Sequence, residues 1–167
     1  NSIFNLNLNS LGQKENLIEY KSNLSKYFNQ KKMLLSEESR SKINSNPLRI
    51  LDSKNEDDIK IANLAPSINE FISNADQNHF EKIKQGLDFH EITYEENHKL
   101  VRGLDYYCST VFEFKTNNLG SQDTILGGGR YDGLIGTLGG PDIPGIGWAA
   151  GIERISMLMD SSNDIFD

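Results

Sequence analysis

Glycine is divided unevenly along this chain of 167 residues: of its 14 glycines only Gly12 and Gly86 precede residue 100, and the other twelve fall between Gly103 and Gly151. Glycine weakens helix interiors and serves turns, bulges and close backbone contacts. The two parts therefore call for different secondary structure, with a predicted boundary near Leu100. Before it, Leu17, Tyr20, Leu24, Tyr27 and Phe28 recur at helical spacing, which predicts an amphipathic helix over 13–30 with its N-cap near Ser10. Ser36, followed by Glu37 and Glu38, predicts a short helix toward Ile43. Asn46-Pro47 stops it, because proline disfavours helix in the residue before it, and 48–51 follows as a short link. Further helices are predicted over 57–65, ending at Pro66, and over 76–88 from Phe80, Ile83 and Leu87.

The glycine-rich part reads as strand over 93–100, 106–115 and 124–126, where β-branched and aromatic residues gather, with a hairpin connection at 117–120. Near the other end, Ile3, Asn5 and Asn7 alternate with Phe4, Leu6 and Leu8 as in a strand. Trp148, Ile152, Ile155 and Met159 lie at i, i+4, i+7 and i+11, which predicts a closing helix with one buried face. The predicted class is α+β: an antiparallel sheet flanked by helices, with a helical insertion.

A net charge of -7 and a pI near 5.0 argue against a generally basic surface that would hold nucleic acid by neutralising phosphates, so any RNA contact is local. No run of eighteen apolar residues and no signal peptide is found, which predicts a soluble cytoplasmic protein with no membrane partner. The one cysteine, Cys108, makes no internal disulfide, and His79, His90 and His98 lack metal-ligand spacing, so no metal site is expected. The chain opens at Asn1 directly into strand-like alternation and reads as an interior piece of a longer protein.

The chemistry concentrates in three segments, Leu100-Val-Arg-Gly-Leu-Asp-Tyr-Tyr107, Gly127-Gly-Gly-Arg-Tyr-Asp-Gly-Leu134 and Gly145-Ile-Gly-Trp-Ala-Ala-Gly-Ile-Glu-Arg154, which hold three of the five arginines. Arginine's planar fork suits carboxylate and phosphate, so the segregation suggests anion recognition. Taken alone, Arg102 is as readily a surface partner of Asp105, and Arg154 a solvated helix residue. On a strand Tyr106 and Tyr107 would point to opposite faces, one packing and one offered to a pocket of amino-acid size. The run Gly127–Gly129 permits a positive-φ turn or close ligand approach, with Arg130 and Tyr131 directly after it. It lacks the Lys-Ser/Thr ending of a P-loop, and Gly145 to Ala150 lacks the βαβ setting of a dinucleotide fingerprint. Its glycines instead let the closing helix approach the sheet, with Glu153 and Arg154 on that helix's polar side.

Together these segments resemble the histidyl-tRNA synthetase family. Arg102 to Tyr107 and Gly128 to Tyr131 are similar to its two histidine signatures, and Gly145 to Arg154 to class II motif 3. Asn9-Ser-Leu-Gly12 and Asn46-Pro-Leu-Arg-Ile-Leu-Asp-Ser-Lys54 resemble the stretch between motif 2 and the first signature. The resemblance implies a class II aminoacyl-tRNA synthetase sheet with a helical insertion, divided as catalytic core over 1–30, insertion over 31–85 and core over 86–167. It also implies a parent that activates histidine with ATP and magnesium, without a prosthetic group, and transfers it to tRNA(His) as a homodimer. Arg102 then lies between the histidine carboxylate and the α-phosphate as the catalytic residue, Tyr106, Tyr107 and Tyr131 line the histidine pocket, and Arg154 meets the γ-phosphate. Gly128, Gly129, Arg130 and Glu153 are weaker candidates, with Arg130 structural, and Cys108 carries no chemistry. Motif 1, motif 2 and the anticodon-binding domain are not found, so this piece alone is not expected to aminoacylate tRNA. Two other readings are the regulatory paralogue of ATP phosphoribosyltransferase, a non-catalytic sensor, and an interaction module built on the helical insertion alone. Glu153-Arg154 and the intact Gly-Gly-Arg-Tyr segment favour the synthetase over the sensor, which has little use for a phosphate-binding arginine.

Overall fold

The computed structural model describes residues 4–104, 106–119 and 123–159. Strand β1 (Asn5–Ser10) has neighbours on both sides: β2 (Tyr94–Glu96) runs parallel to it and β3 (Cys108–Lys115) antiparallel. The sheet continues through β4 (Thr124–Arg130) to β5 (Ile146–Ala150), giving the order β2-β1-β3-β4-β5. It is thus mixed rather than wholly antiparallel. A parallel pair needs a crossover, and the helical part of the chain supplies it. The strand expected over 93–100 is shorter because the chain turns after Glu96, with Leu100 N–H donating to Asn97 O at 2.8 Å.

Register assigns the two faces. Asn7, Glu113, Gly127 and Ala149 form one cross-strand row, and Leu8, Phe112, Gly128 and Trp148 form the next, on the opposite face. Helix α1 (Lys14–Gln30) covers the first face with Leu17, Tyr20, Leu24 and Phe28, which share a core with Leu100, Val101 and Val111. Its N-cap is Gln13, whose N–H donates to Asn16 Oδ1 at 2.9 Å; Ser10 is still in β1, and Gly12 at φ 65° makes the reversal between them.

Three short helices, α2 (Glu37–Lys42), α3 (Leu48–Leu51) and α4 (Glu56–Ala62), extend that core with Ile43, Ile50 and Ile61. Residues 48–51, expected as a link, form a helical turn because Pro47 presets helical φ and Leu48, Ile50 and Leu51 all gain burial. The Tyr20 and Tyr27 hydroxyls of α1 donate to Pro66 O at 3.0 Å and Ile61 O at 2.9 Å, tying α1 to α4 and the loop after it. Helix α5 (Asn74–Phe89) packs on the other face, where Phe80 and Leu87 meet Leu6, Leu8, Phe112 and Phe114.

Asp58, fully buried on α4, holds the short helices together. Its carboxylate accepts from Ser36 N (2.8 Å), Ser36 Oγ (2.7 Å), Ser39 Oγ (2.6 Å) and Ser53 Oγ (2.8 Å). Burial pushes its pKa up, but the bonds from Ser39, Ser36 and Ser53 outweigh that and hold it below the ordinary carboxylate value. A depressed folded-state pKa contributes stability that is complete above the unfolded value of about 3.9 and is lost as pH falls through the folded value. Asp58→Asn is therefore expected to cost about 2 kcal/mol at pH 7, with the gap to the unsubstituted chain narrowing toward pH 2. Urea unfolding at both pH values checks this; a gap that does not change with pH would mean that the charge is not what matters.

The last part departs most from expectation. Gly127, Gly128 and Gly129 lie inside β4, and none has positive φ. Trp148 belongs to β5, and only Ile152–Leu158 is helical, as α7. Its side chains do not form a buried face: Trp148 is 65% and Ile152 75% exposed, and Ile155 and Met159 are exposed too. Gly145 and Gly147 make room for the Tyr131 ring rather than for a helix.

Candidate functional site

Arg102 is carried on a segment fixed from below. Leu100 and Val101 are buried in the core, and Asn9 Nδ2 donates to Leu100 O at 2.9 Å. The guanidinium then lies against β4 at Gly127, where a Cβ would come within 2.8 Å of Cζ, so a side chain at that position would displace the guanidinium. Arg102 Nη1 pairs with Glu113 Oε1, and Nε is buried without a hydrogen-bond partner among the described residues. Asp105, the alternative partner, lies outside the described residues.

Glu113 is the hub of this arrangement. Its Oε2 accepts from Thr124 Oγ1 at 3.3 Å and faces Lys115 Nζ at 3.6 Å, and Lys115 also reaches Asp123 at 3.4 Å. Arg154 folds back from α7 so that its Nη1 donates to Thr124 O at 2.5 Å. Arg154, Glu113, Lys115 and Thr124 line a polar cavity of about 250 Å³, to which Asp52 and Lys54 contribute from the loop after α3. Its cations Lys54, Lys115 and Arg154 face the carboxylates of Asp52, Glu113 and Asp123, so an anionic ligand such as a phosphate chain would have to draw those cations from partners within the cavity.

On the other side of Arg102 lie the tyrosines. Neither Tyr106 nor Tyr107 is in β3, and they do not face opposite ways: their ring centroids are 4.6 Å apart, with Tyr131 at 5.9 and 6.3 Å. A bulge explains the turn. Register shifts between Cys108 and Val111, and Ser109 takes a φ of 50° there, which swings the preceding tyrosines toward Tyr131. Burial raises the Tyr107 pKa, Tyr106 beside it adds to the rise, and Arg102 opposes it, so the group remains a neutral hydroxyl at physiological pH. Tyr106, Tyr107, Cys108 and Asp132 line a cavity of about 340 Å³, the size class of a small-molecule pocket. Burial likewise pushes the Cys108 thiol up, which disfavours a reactive thiolate.

Of the residues singled out from sequence, Arg102, Tyr106, Tyr107, Tyr131 and Arg154 converge here, with Gly129 packed below Tyr107. Arg130 does not. Its Nε donates to both Asp132 oxygens at 2.8 Å, and it borders the large apolar cavity of about 660 Å³ on the α5 face, away from the charged groups. Gly128 also faces away, and Glu153 is exposed on α7. Glu113 and Lys54 were missed. The signal for Glu113 was a carboxylate at an inward position of Val111-Phe-Glu-Phe114. Among the described residues no group of three or more His, Cys, Asp or Glu side chains is placed to hold a metal ion, and no helix is long and apolar enough to cross a membrane.

A sheet with helices on both faces carries an arginine at a polar cavity and a second one paired to that cavity's Glu113 beside a tyrosine cluster, on a fold shared with class II aminoacyl-tRNA synthetase cores. The apo histidyl-tRNA synthetase of S. aureus superposes with a TM-score of 0.68 at 34% identity, over 93% of this chain and 38% of that one. The chain belongs to the histidyl-tRNA synthetase family, whose model matches residues 22–155. Histidine–tRNA ligases of Ehrlichia ruminantium (strain Gardel) and Rickettsia prowazekii (strain Madrid E) are 51% and 52% identical over 155 residues, 93% of this chain. The chain spans only 37% and 38% of their lengths. A Bacillus halodurans ATP phosphoribosyltransferase regulatory subunit/histidyl-tRNA synthetase shares the fold, at 18% identity and a TM-score of 0.56 over 96% of this chain and 45% of that one.

Proposed function

We propose that this chain supplies the histidine-recognising part of a histidine–tRNA ligase, whose full-length form joins histidine to ATP and passes it from the adenylate to tRNA(His) in the cytoplasm. One observation carries the reading: Arg102 pairs with Glu113, which lines the polar cavity that contains Arg154, while Tyr106, Tyr107 and Tyr131 cluster on its other side. In the first step a histidine carboxylate oxygen forms a bond to the α-phosphorus as the bond to pyrophosphate breaks. Arg102 stands where both anions meet and offsets the growing negative charge without transferring a proton. Tyr106, Tyr107 and Tyr131 enclose the amino acid, and Arg154 holds the far phosphate. Magnesium enters with ATP as part of that substrate, and the full-length protein acts as a homodimer. The stretch 31–85 serves as a helical insertion between core parts 1–30 and 86–167, in keeping with a crossover that leaves and rejoins the sheet at adjacent strands.

The test is ATP–pyrophosphate exchange by the full-length protein, with each of several amino acids as the second substrate. Exchange that depends on histidine and on no other amino acid is expected. Histidine binding without any exchange would favour a sensor instead.

A further inference from the structure

We infer that Arg49, a residue of the helical part, is a positioning residue for Arg102. The inference rests on the functional reading above and adds a residue to it. Two hydrogen bonds from outside hold the main chain on either side of Arg102. Asn9 Nδ2 takes the Leu100 carbonyl at 2.9 Å, and Arg49 Nη2 takes the Gly103 carbonyl at 2.6 Å. Arg49 is well placed for this. Leu48, Ile50 and Leu51, its neighbours on α3, are buried, so the turn that carries it is anchored in the core while its own side chain is exposed. At Gly103 a Cβ would sit 2.7 Å from Arg49 Nη2, so a larger residue there would push the guanidinium from its present position on this carbonyl.

The consequence is geometric. Beyond Gly103, Leu104 is largely exposed and the next described residue packed on the core is Tyr107, so Arg49 holds the stretch between these two anchors. The Arg102 guanidinium must lie against Gly127 and meet Glu113 at once, which tolerates little drift of its own backbone. Small displacements of a group that acts on the transition state cost rate more than binding. α3 thus joins the helical part to the chemistry at one carbonyl.

The experiment measures histidine-dependent ATP–pyrophosphate exchange in the full-length protein for Arg49→Ala, Arg49→Lys, Arg102→Ala and the double variant Arg49→Ala/Arg102→Ala. Because Arg49 is exposed, its variants are expected to keep the thermal midpoint. Arg49→Ala is expected to lower kcat roughly tenfold with KM for ATP little changed. Arg49→Lys should recover part of the loss. In the Arg102→Ala background the same substitution should add less than about twofold, because its effect runs through Arg102. An unchanged kcat, or an undiminished loss without Arg102, overturns the proposal. Amide hydrogen exchange over residues 100–107 tests it without activity: Arg49→Ala should speed exchange there and nowhere on β3–β4, and equal protection refutes the pinning. A wild-type protein with no histidine-dependent exchange would count against the functional reading, while the amide measurement would still decide the role of Arg49.

Discussion

Arg102→Ala in the full-length protein is expected to slow histidyl-adenylate formation by 10²- to 10³-fold or roughly 3–4 kcal/mol, while histidine affinity changes much less. The asymmetry follows from what the guanidinium does in each state. On the proposed reading histidine is held chiefly by Tyr106, Tyr107 and Tyr131, whose rings pack on one another, with Arg102 touching only Tyr107 among them. On the same reading Arg102 is the counter-charge for the negative charge that builds on the α-phosphoryl group as pyrophosphate leaves. Folding should survive the change, because Glu113, although buried, keeps Thr124 and Lys115 as partners. Single-turnover kinetics with titrated histidine separates the two quantities. Equal losses in rate and affinity would make Arg102 a ground-state ligand instead.

Gly128→Ala is expected to be the most destabilising single-methyl change in the sheet, at roughly 3 kcal/mol or more. The added Cβ would overlap Gly147 O and lie 2.7 Å from Trp148 Cβ and 2.8 Å from its Cα. These are atoms of the neighbouring strand's main chain and of the first bond out from it, so no rotamer change relieves them and β5 would have to move off β4. Far-UV circular dichroism in urea reads the loss, and the one tryptophan, Trp148, sits opposite the altered residue and reports strand separation through its fluorescence. Gly136→Ala is the control. Nothing lies within 4 Å of a Cβ there, and on α6 (Leu134–Thr137) alanine should be neutral or slightly favourable. Equal midpoints for the two variants would sink the close-approach argument.

Why glycine is needed at 128 also shows where sequence reasoning stopped. A run of three glycines usually signals backbone freedom, and 127–129 was accordingly expected to be a turn or ligand loop. In the fold the same residues supply absence of side chain inside a strand: Gly127 for the Arg102 guanidinium, Gly128 for β5, and Gly129 for Tyr107 and the Thr110 carbonyl. One-dimensional pattern does not distinguish the two uses, because the crowding comes from residues far along the chain. Trp148 failed for a related reason. Its spacing to Ile152, Ile155 and Met159 fits a helix, yet Gly151 divides a strand from a short helix, and periodicity does not register a change of element. By contrast α1 was legible because its buried positions, Leu17, Tyr20, Leu24 and Phe28, answer to a single period along one element. The arginines and tyrosines stand out in the sequence by residue type, and the family resemblance suggests the roles proposed for them. Glu113 and Arg49, which orient Arg102, were not, since holding a neighbour leaves no mark in residue type.

The order of the strands bears on how such a chain is made. β1 lies in the middle of the sheet between β2 and β3, which begin at Tyr94 and Cys108. Translation at roughly 5–20 residues per second leaves Leu6 and Leu8 without their sheet partners for about 5 to 20 s after they emerge. The helices between can settle on α1 during that interval, but the strand itself must wait, and a nascent chain paused there would present an apolar ribbon to the chaperones at the ribosome exit.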